Sequence, residues 1–145
     1  MKHSKFLSIL TLSLFLFSYN VNAQNNQTTS EKMTDKIEVI DFHSTRRCLT
    51  CNAIELHTRY TLKKYFSNEL KSGKITFQVI NVDKEKNYEL AEKFEASGTS
   101  LFLNVIAKGK ETQINLTDYA FMKARQKDEY MSALKLKIEK ELKTL

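Results

Sequence analysis

"DFHSTRRCLTCNAIE", residues 41–55, holds both cysteines of the 145-residue chain, three positions apart, behind two arginines and at the head of an apolar-periodic stretch. Cys48 and Cys51 at that spacing are a redox pair, a metal clip or a structural staple. Loop closure argues against the staple: bridging a four-residue loop restricts the unfolded chain by only about 2 kcal/mol, against roughly 4.7 for a 100-residue loop. A reactive pair suits the position better. Cys48 falls at a helix N-terminus, where unpaired backbone N–H groups and the positive end of the dipole favour a thiolate, and Arg46 and Arg47 add positive charge beside it. Cys51, one turn deeper, is then the resolving partner.

The metal reading is the alternative. It would take Cys48, Cys51 and His43, which ends the preceding strand, and three ligands suffice for Cu(I) or a metalloid but fall short of a closed zinc site. The two arginines oppose it by repelling a cation. His57 lies six residues past Cys51, about 600° of helical rotation, so it points away from the Cys51 face and reads as a packing residue.

Working outward, "IEVIDFH" before the dithiol is a short, nearly continuous apolar strand with Asp41 as its exception. From Cys51 to about Lys71 the apolar residues recur at helical spacing, and Ser72-Gly73 supplies a stop. "KITFQVINVD" is a second strand, too apolar to be an edge. A short helix around "YELAEKFEA" ends near Gly98, and "TSLFLNVIA" is a third strand. Lys108-Gly109-Lys110 turns it into "ETQINL" as a hairpin. A short helix capped by Thr117 or Asp118 breaks near Gln126, and a terminal helix follows with Met131, Leu134, Ile138 and Leu142 on one face. Strands separated by helices predict parallel crossovers, and with the antiparallel hairpin they give an α/β fold: a mixed sheet of about four strands with helices on both faces.

The N-terminus sets the compartment. Met1-Lys2-His3-Ser4-Lys5 is a basic start, "FLSILTLSLFLFS" an apolar run of 13, and Val21-Asn22-Ala23 a small-residue cleavage site. Residues 1–23 therefore read as a secretory signal peptide, too short in its apolar run to span a membrane. Residues 24–35, polar and aperiodic, are a flexible linker, and 36–145 form one domain. Removing Lys2 and Lys5 lowers the net charge from +6 to +4, and the C-terminal lysines alternate with Glu139 and Glu141 as a solvated helix face. No nucleic-acid footprint is present. The chain reads as periplasmic and soluble after cleavage.

The order of strand, CxxC at a helix start, strand, helix, hairpin and helix resembles the thioredoxin-like superfamily over roughly Lys36 to Leu145. Within it, "DFHSTRRCLTC" with "NVDKEKNYELAEKFEASGTSLFL" looks most like a small bacterial family found beside arsenic-resistance genes and labelled a nitrophenyl compound nitroreductase subunit. His43, Arg47, Cys48, Cys51, Thr99, Ser100 and Leu101 match its pattern, while Asp41 stands where that family carries a Tyr. The resemblance implies a thiol-disulfide oxidoreductase, with Thr99 and Ser100 as the substrate-facing loop. It also implies a role in arsenical or nitroaromatic handling. Thioredoxins have a cis-proline at the Thr99 position; this chain has no proline, and a non-proline peptide there is expected to be trans. The gap from Asp41 to Cys48 is one residue longer than in thioredoxin, which leaves Asp41 open between a proton relay, a solvated strand-end acid and an acid paired with Arg46 or Arg47. The expected substrates are protein or small-molecule thiols and disulfides, with a membrane protein as redox partner and the chain a monomer. No cofactor is expected: there is no GxGxxG, and the glycines are only Gly73, Gly98 and Gly109.

Overall fold

The computed structural model describes residues 34–145. Residues 1–23, read as a signal peptide, and the expected linker up to residue 33 lie outside the described residues. Strand β1 (Lys36–His43) is followed by helix α1 (Leu49–Tyr65), a short helix α2 (Ser67–Ser72) and β2 (Ile75–Asn81). A 3-10 turn (Glu85–Asn87) leads into α3 (Tyr88–Lys93), then come β3 (Ser100–Ala107), β4 (Lys110–Asn115), α4 (Thr117–Lys123) and α5 (Lys127–Leu142). The sheet order is β2-β1-β3-β4. β2 runs parallel to β1, and β3 runs antiparallel to both β1 and β4.

Side chains alternate across β1. Ile37 and Val39 enter the main core, with Ile54 and Leu62 of α1 and Tyr130, Leu134 and Ile138 of α5. Ile40 and Phe42 enter a second core on the other face, with Ala91 and Phe94. Helices thus cover both faces of a mixed four-stranded sheet. This βαβ unit followed by a hairpin and helix is the α/β architecture of the thioredoxin-like fold.

Four expectations are corrected. β2 is an edge strand: only Ile75 is buried and its other six residues are half-buried, and an apolar side-chain pattern says nothing about how many neighbours the backbone has. The β2-to-β3 connection is not a parallel crossover. α3 has six residues, about 9 Å of rise, whereas the seven residues of β2 run about 23 Å; the helix cannot carry the chain back to the start of the sheet, so β3 sets off in reverse. The long helix to Lys71 is interrupted at Phe66, whose backbone leaves the helical region (φ −131°, ψ 31°) while its ring sinks into the main core. Neither Thr117 nor Asp118 caps α4: the Thr117 hydroxyl accepts the Leu101 N–H at 3.2 Å, and the Asn115 side chain accepts the Thr117 N–H at 2.9 Å. The hairpin turn forms as expected, with Lys108 and Gly109 both left-handed (φ 53° and 75°), the geometry of a two-residue primed turn. Asp35 anchors it by accepting the Lys108 N–H at 2.8 Å.

Candidate functional site

Cys48 is the N-cap of α1, and its sulfur accepts the Cys51 N–H at 3.1 Å. The chain enters from β1 in an extended conformation (Cys48 φ −80°, ψ 168°), which turns the sulfur back onto one of the free N–H groups of the first turn, that of Cys51, as an N-cap side chain requires. Cys48 and Cys51 form a disulfide with Cα atoms 5.1 Å apart. Cys48 is exposed and Cys51 buried. Leu49, between them, is 90% exposed. An incoming group can therefore reach Cys48 and not Cys51.

The loop carrying Arg46 and Arg47 is tied to the end of β2. Thr45 donates its N–H to the Asp83 carboxylate at 2.6 Å, the Asn81 amide donates to the Thr45 hydroxyl at 3.2 Å, and Val82 donates its N–H to the His43 carbonyl at 2.9 Å. The Thr45 backbone bond holds the Asp83 carboxyl below the usual carboxylate range. On the other side, Ser100 pairs in register with Phe42, which brings Thr99 and Ser100 to the end of the sheet where this loop leaves β1. A Cβ on Gly98 would lie 3.7 Å from Ser44 Oγ, so the 98–100 segment rests against the loop. Ser100 turns its hydroxyl back onto the Gly98 carbonyl at 3.0 Å. Every peptide bond among the described residues is trans, that before Thr99 included.

Asp41 faces the main core, fully buried on the α1 side of β1. Its Oδ1 has no hydrogen-bond partner, and its Oδ2 receives the Arg47 guanidinium at 3.5 Å. Burial pushes the carboxyl up to about 7, with Arg47 pulling it down and Glu55 adding to the rise. Of the three readings the sequence left open, the solvated strand-end acid is ruled out and pairing with Arg47 is found. Arg47 turns under the helix rather than out beside Cys48. Its Nη2 also donates to the Cys51 carbonyl at 3.2 Å, and its Nη1 donates to Glu55. Arg46 is exposed.

Glu55 was missed by the sequence reading. It receives both Arg47 and Arg59, the latter at 2.7 Å. Burial pushes its carboxyl up, but the hydrogen bonds from Arg59 and Arg47 outweigh that and hold it below the ordinary glutamate value. The signal was present: Cys51, Glu55 and Arg59 are spaced i, i+4, i+8 and share a helix face.

His57 packs as expected, its ring 5.6 Å from that of Tyr130, and burial depresses its pKa. His43 Nδ1 sits 2.9 Å from the Ser44 carbonyl. Among the described residues no three His, Cys, Asp or Glu side chains gather as a metal would need, so His43 does not join Cys48 and Cys51 in a ligand cluster. No helix among them is long and apolar enough to cross a membrane.

No protein-family model matches the sequence, and no curated protein matches it. Among solved structures the chain is similar to thioredoxin from Fasciola hepatica, at 20% identity over 61% of this chain and 76% of that one, with a TM-score of 0.39. It is similar to the oxidised mitochondrial thioredoxin 3 of Saccharomyces cerevisiae at 20% identity, 62% and 76% coverage and a TM-score of 0.41. A malarial protein is similar at 20% identity over 61% of this chain and 94% of that one, with a TM-score of 0.36. These likenesses are loose, and the thioredoxin-like fold is assigned here on the strand order, the crossover and the dithiol at the head of α1.

Proposed function

We propose that this chain is a thiol-disulfide oxidoreductase acting through Cys48 and Cys51. The observation that carries the reading is the bridged pair itself: an exposed sulfur capping a helix N-terminus, bonded to a buried one, with a buried carboxylic acid and its arginine below. A reducing thiolate attacks the exposed Cys48 sulfur, giving a mixed disulfide and releasing Cys51 as the thiol; in the other direction Cys51 attacks Cys48 Sγ, closes the bridge and expels the substrate thiolate. The Cys51 N–H on the Cys48 sulfur and the positive end of the helix dipole stabilise the Cys48 thiolate, and Arg46 adds positive potential to it. Asp41 is the acid through which the buried Cys51 gains and loses its proton. Thr99 and Ser100, at the same end of the sheet, form the loop that faces substrate.

Protein and small-molecule thiols and disulfides are the substrate class. The basic start, apolar run and Val-Asn-Ala site support export and a periplasmic setting, with a membrane protein as redox partner and the mature chain a monomer. The match of His43, Arg47, Cys48, Cys51, Thr99, Ser100 and Leu101 to the arsenic-resistance family supports a place in arsenical or nitroaromatic handling, where another subunit would hold the cofactor and this chain pass electrons.

The test is thiol titration of the purified mature protein across a series of glutathione redox buffers. We expect two thiols to appear together, with a single two-electron midpoint. A bridge that stays closed to glutathione and to a dithiol reductant would overturn the reading. Intact-mass analysis of exported protein tests the compartment, with Gln24 expected as the first residue.

A further inference from the structure

Arg47 is adjacent to Cys48 in sequence, yet its guanidinium reaches the other cysteine. Its three oxygen partners are the Cys51 carbonyl, Asp41 Oδ2 and Glu55, and its side chain is only 18% exposed. Asp41 is closed in on its other sides. Val79 of β2 and Leu101 of β3 are its register partners, and both are apolar. The charged and titratable groups that face it are Arg47 from the loop, Glu55 and Arg59 from α1, and Tyr130 from α5.

We propose that Arg47 and Glu55 are an opposed pair of positioning residues for the second half of the dithiol reaction, Arg47 assisting the Cys51 step through Asp41 and Glu55 restraining it by sharing Arg47's charge. This rests on the oxidoreductase reading. In that step the substrate is held to Cys48 as a mixed disulfide. The Cys51 thiol gives its proton to the Asp41 carboxylate, the thiolate attacks Cys48 Sγ, a Cys48–Cys51 bond forms, and the Cys48–substrate bond breaks. The substrate leaves as a thiolate with the bonding electron pair. An ionised Asp41 is needed at the start, and a fully buried carboxylate with one unpartnered oxygen depends on the neighbouring guanidinium to stay ionised. Glu55 acts against this in two ways: it is a second anion close to Asp41, and it draws the same guanidinium to itself.

The two halves can be timed separately. Reduced protein mixed with excess 5,5′-dithiobis(2-nitrobenzoate) releases one coloured thiolate when Cys48 attacks and a second when Cys51 closes the bridge. At pH 7, Arg47→Gln is expected to slow the second release by about threefold or more, since a thiol pKa raised by one unit lowers the thiolate fraction tenfold and rising nucleophilicity restores part of it. The first release should stay unchanged. Arg47→Lys should return the second release close to the parent rate. Glu55→Gln should speed the second release, again leaving the first alone.

Arg47→Gln and Glu55→Gln both delete the same salt bridge, so a bridge that only braces the fold would shift the second release in the same direction in both, and that result would overturn the proposal. So would a Glu55→Gln protein whose second release is unchanged or slower, a result that stands even if Arg47→Gln fails to fold. A change confined to the first release would place Arg47 on Cys48 instead. A parent protein giving no second release would sink the oxidoreductase reading itself and this inference with it.

Discussion

The two faces of β1 are built from alternate residues of one strand and have opposite characters. On one face Phe42 packs against Phe94 and Phe102, with ring centroids 5.5 and 5.9 Å away, and those two rings lie 5.2 Å apart. On the other face Ile37 and Val39 pack just as tightly, but the next position on that side is Asp41, equally buried and charged on demand. Phe42 closes its core with an aromatic ring, at the same height in the sheet where its neighbour brings a carboxylate to the guanidinium that bonds the Cys51 carbonyl. An apolar residue at position 41 would have packed more cheaply, because a buried carboxyl with an unpartnered oxygen opposes folding when ionised. The difference separates the part of the strand that stabilises the fold from the part that carries chemistry.

Replacing residues on each side should break the molecule in different ways. The largest effect on chemistry is expected from Cys48→Ser, which removes the only accessible sulfur of the pair: disulfide exchange should fall to background while the circular-dichroism spectrum stays that of the parent. Phe42→Ala, on the opposite face, should cost about 3–5 kcal/mol in urea unfolding and leave the rate of Cys48 alkylation unaltered in the molecules that remain folded. If that rate changed with it, the two faces would not be separable.

Asp41→Asn sharpens the contrast through pH. The Asp41 pKa is 3.8 in its ordinary state and about 7 in the fold, so the folded protein holds that proton more tightly than the unfolded chain. Its contribution to stability is complete below about pH 3.8 and is lost as pH rises through 7, a change on the order of a few kcal/mol. Urea midpoints taken from pH 4 to 8 should fall along this slope in the parent and lose that component in Asp41→Asn, which should be the more stable protein at pH 8. An identical slope in both would mean that Asp41 does not titrate in that range.

The smallest effect is expected from Arg46→Gln. Arg46 is exposed, so its field at Cys48 passes through water. The midpoint of Cys48 alkylation against pH should rise by about a few tenths of a unit at low ionic strength, and the difference should vanish at about 1 M salt, where the Debye length is near 3 Å. A shift that persisted in salt would place the guanidinium in contact with the sulfur.

Much of this architecture was legible because its signals are local. The nearly continuous apolar run of β1, the helical spacing through Cys51 to Leu62, the turn at Lys108-Gly109 and the amphipathic stripe Met131, Leu134 and Ile138 each follow from residues within a few positions of one another. So does the place of Cys48 at the N-terminus of a helix. The place where the long helix breaks was not legible, because Phe66 leaves the helical region to reach a core assembled from distant strands.

What the sequence by itself determined is therefore the order of strands and helices apart from the break between α1 and α2, the redox-competent spacing of Cys48 and Cys51, and their position at the head of a helix, since backbone periodicity and chain adjacency are properties of neighbouring residues. What only the tertiary structure decided is which strand lies at the edge, the reversed course of β3, the burial of Asp41 and the turning of Arg47 away from Cys48 toward Asp41, Glu55 and the Cys51 carbonyl. Those outcomes depend on what meets in space. Whether a carboxylate is solvated or enclosed is set by the helix laid over its strand, and the direction an arginine takes is set by the strongest acceptors within its reach, which the sequence places six and eight residues away and only folding brings to its guanidinium.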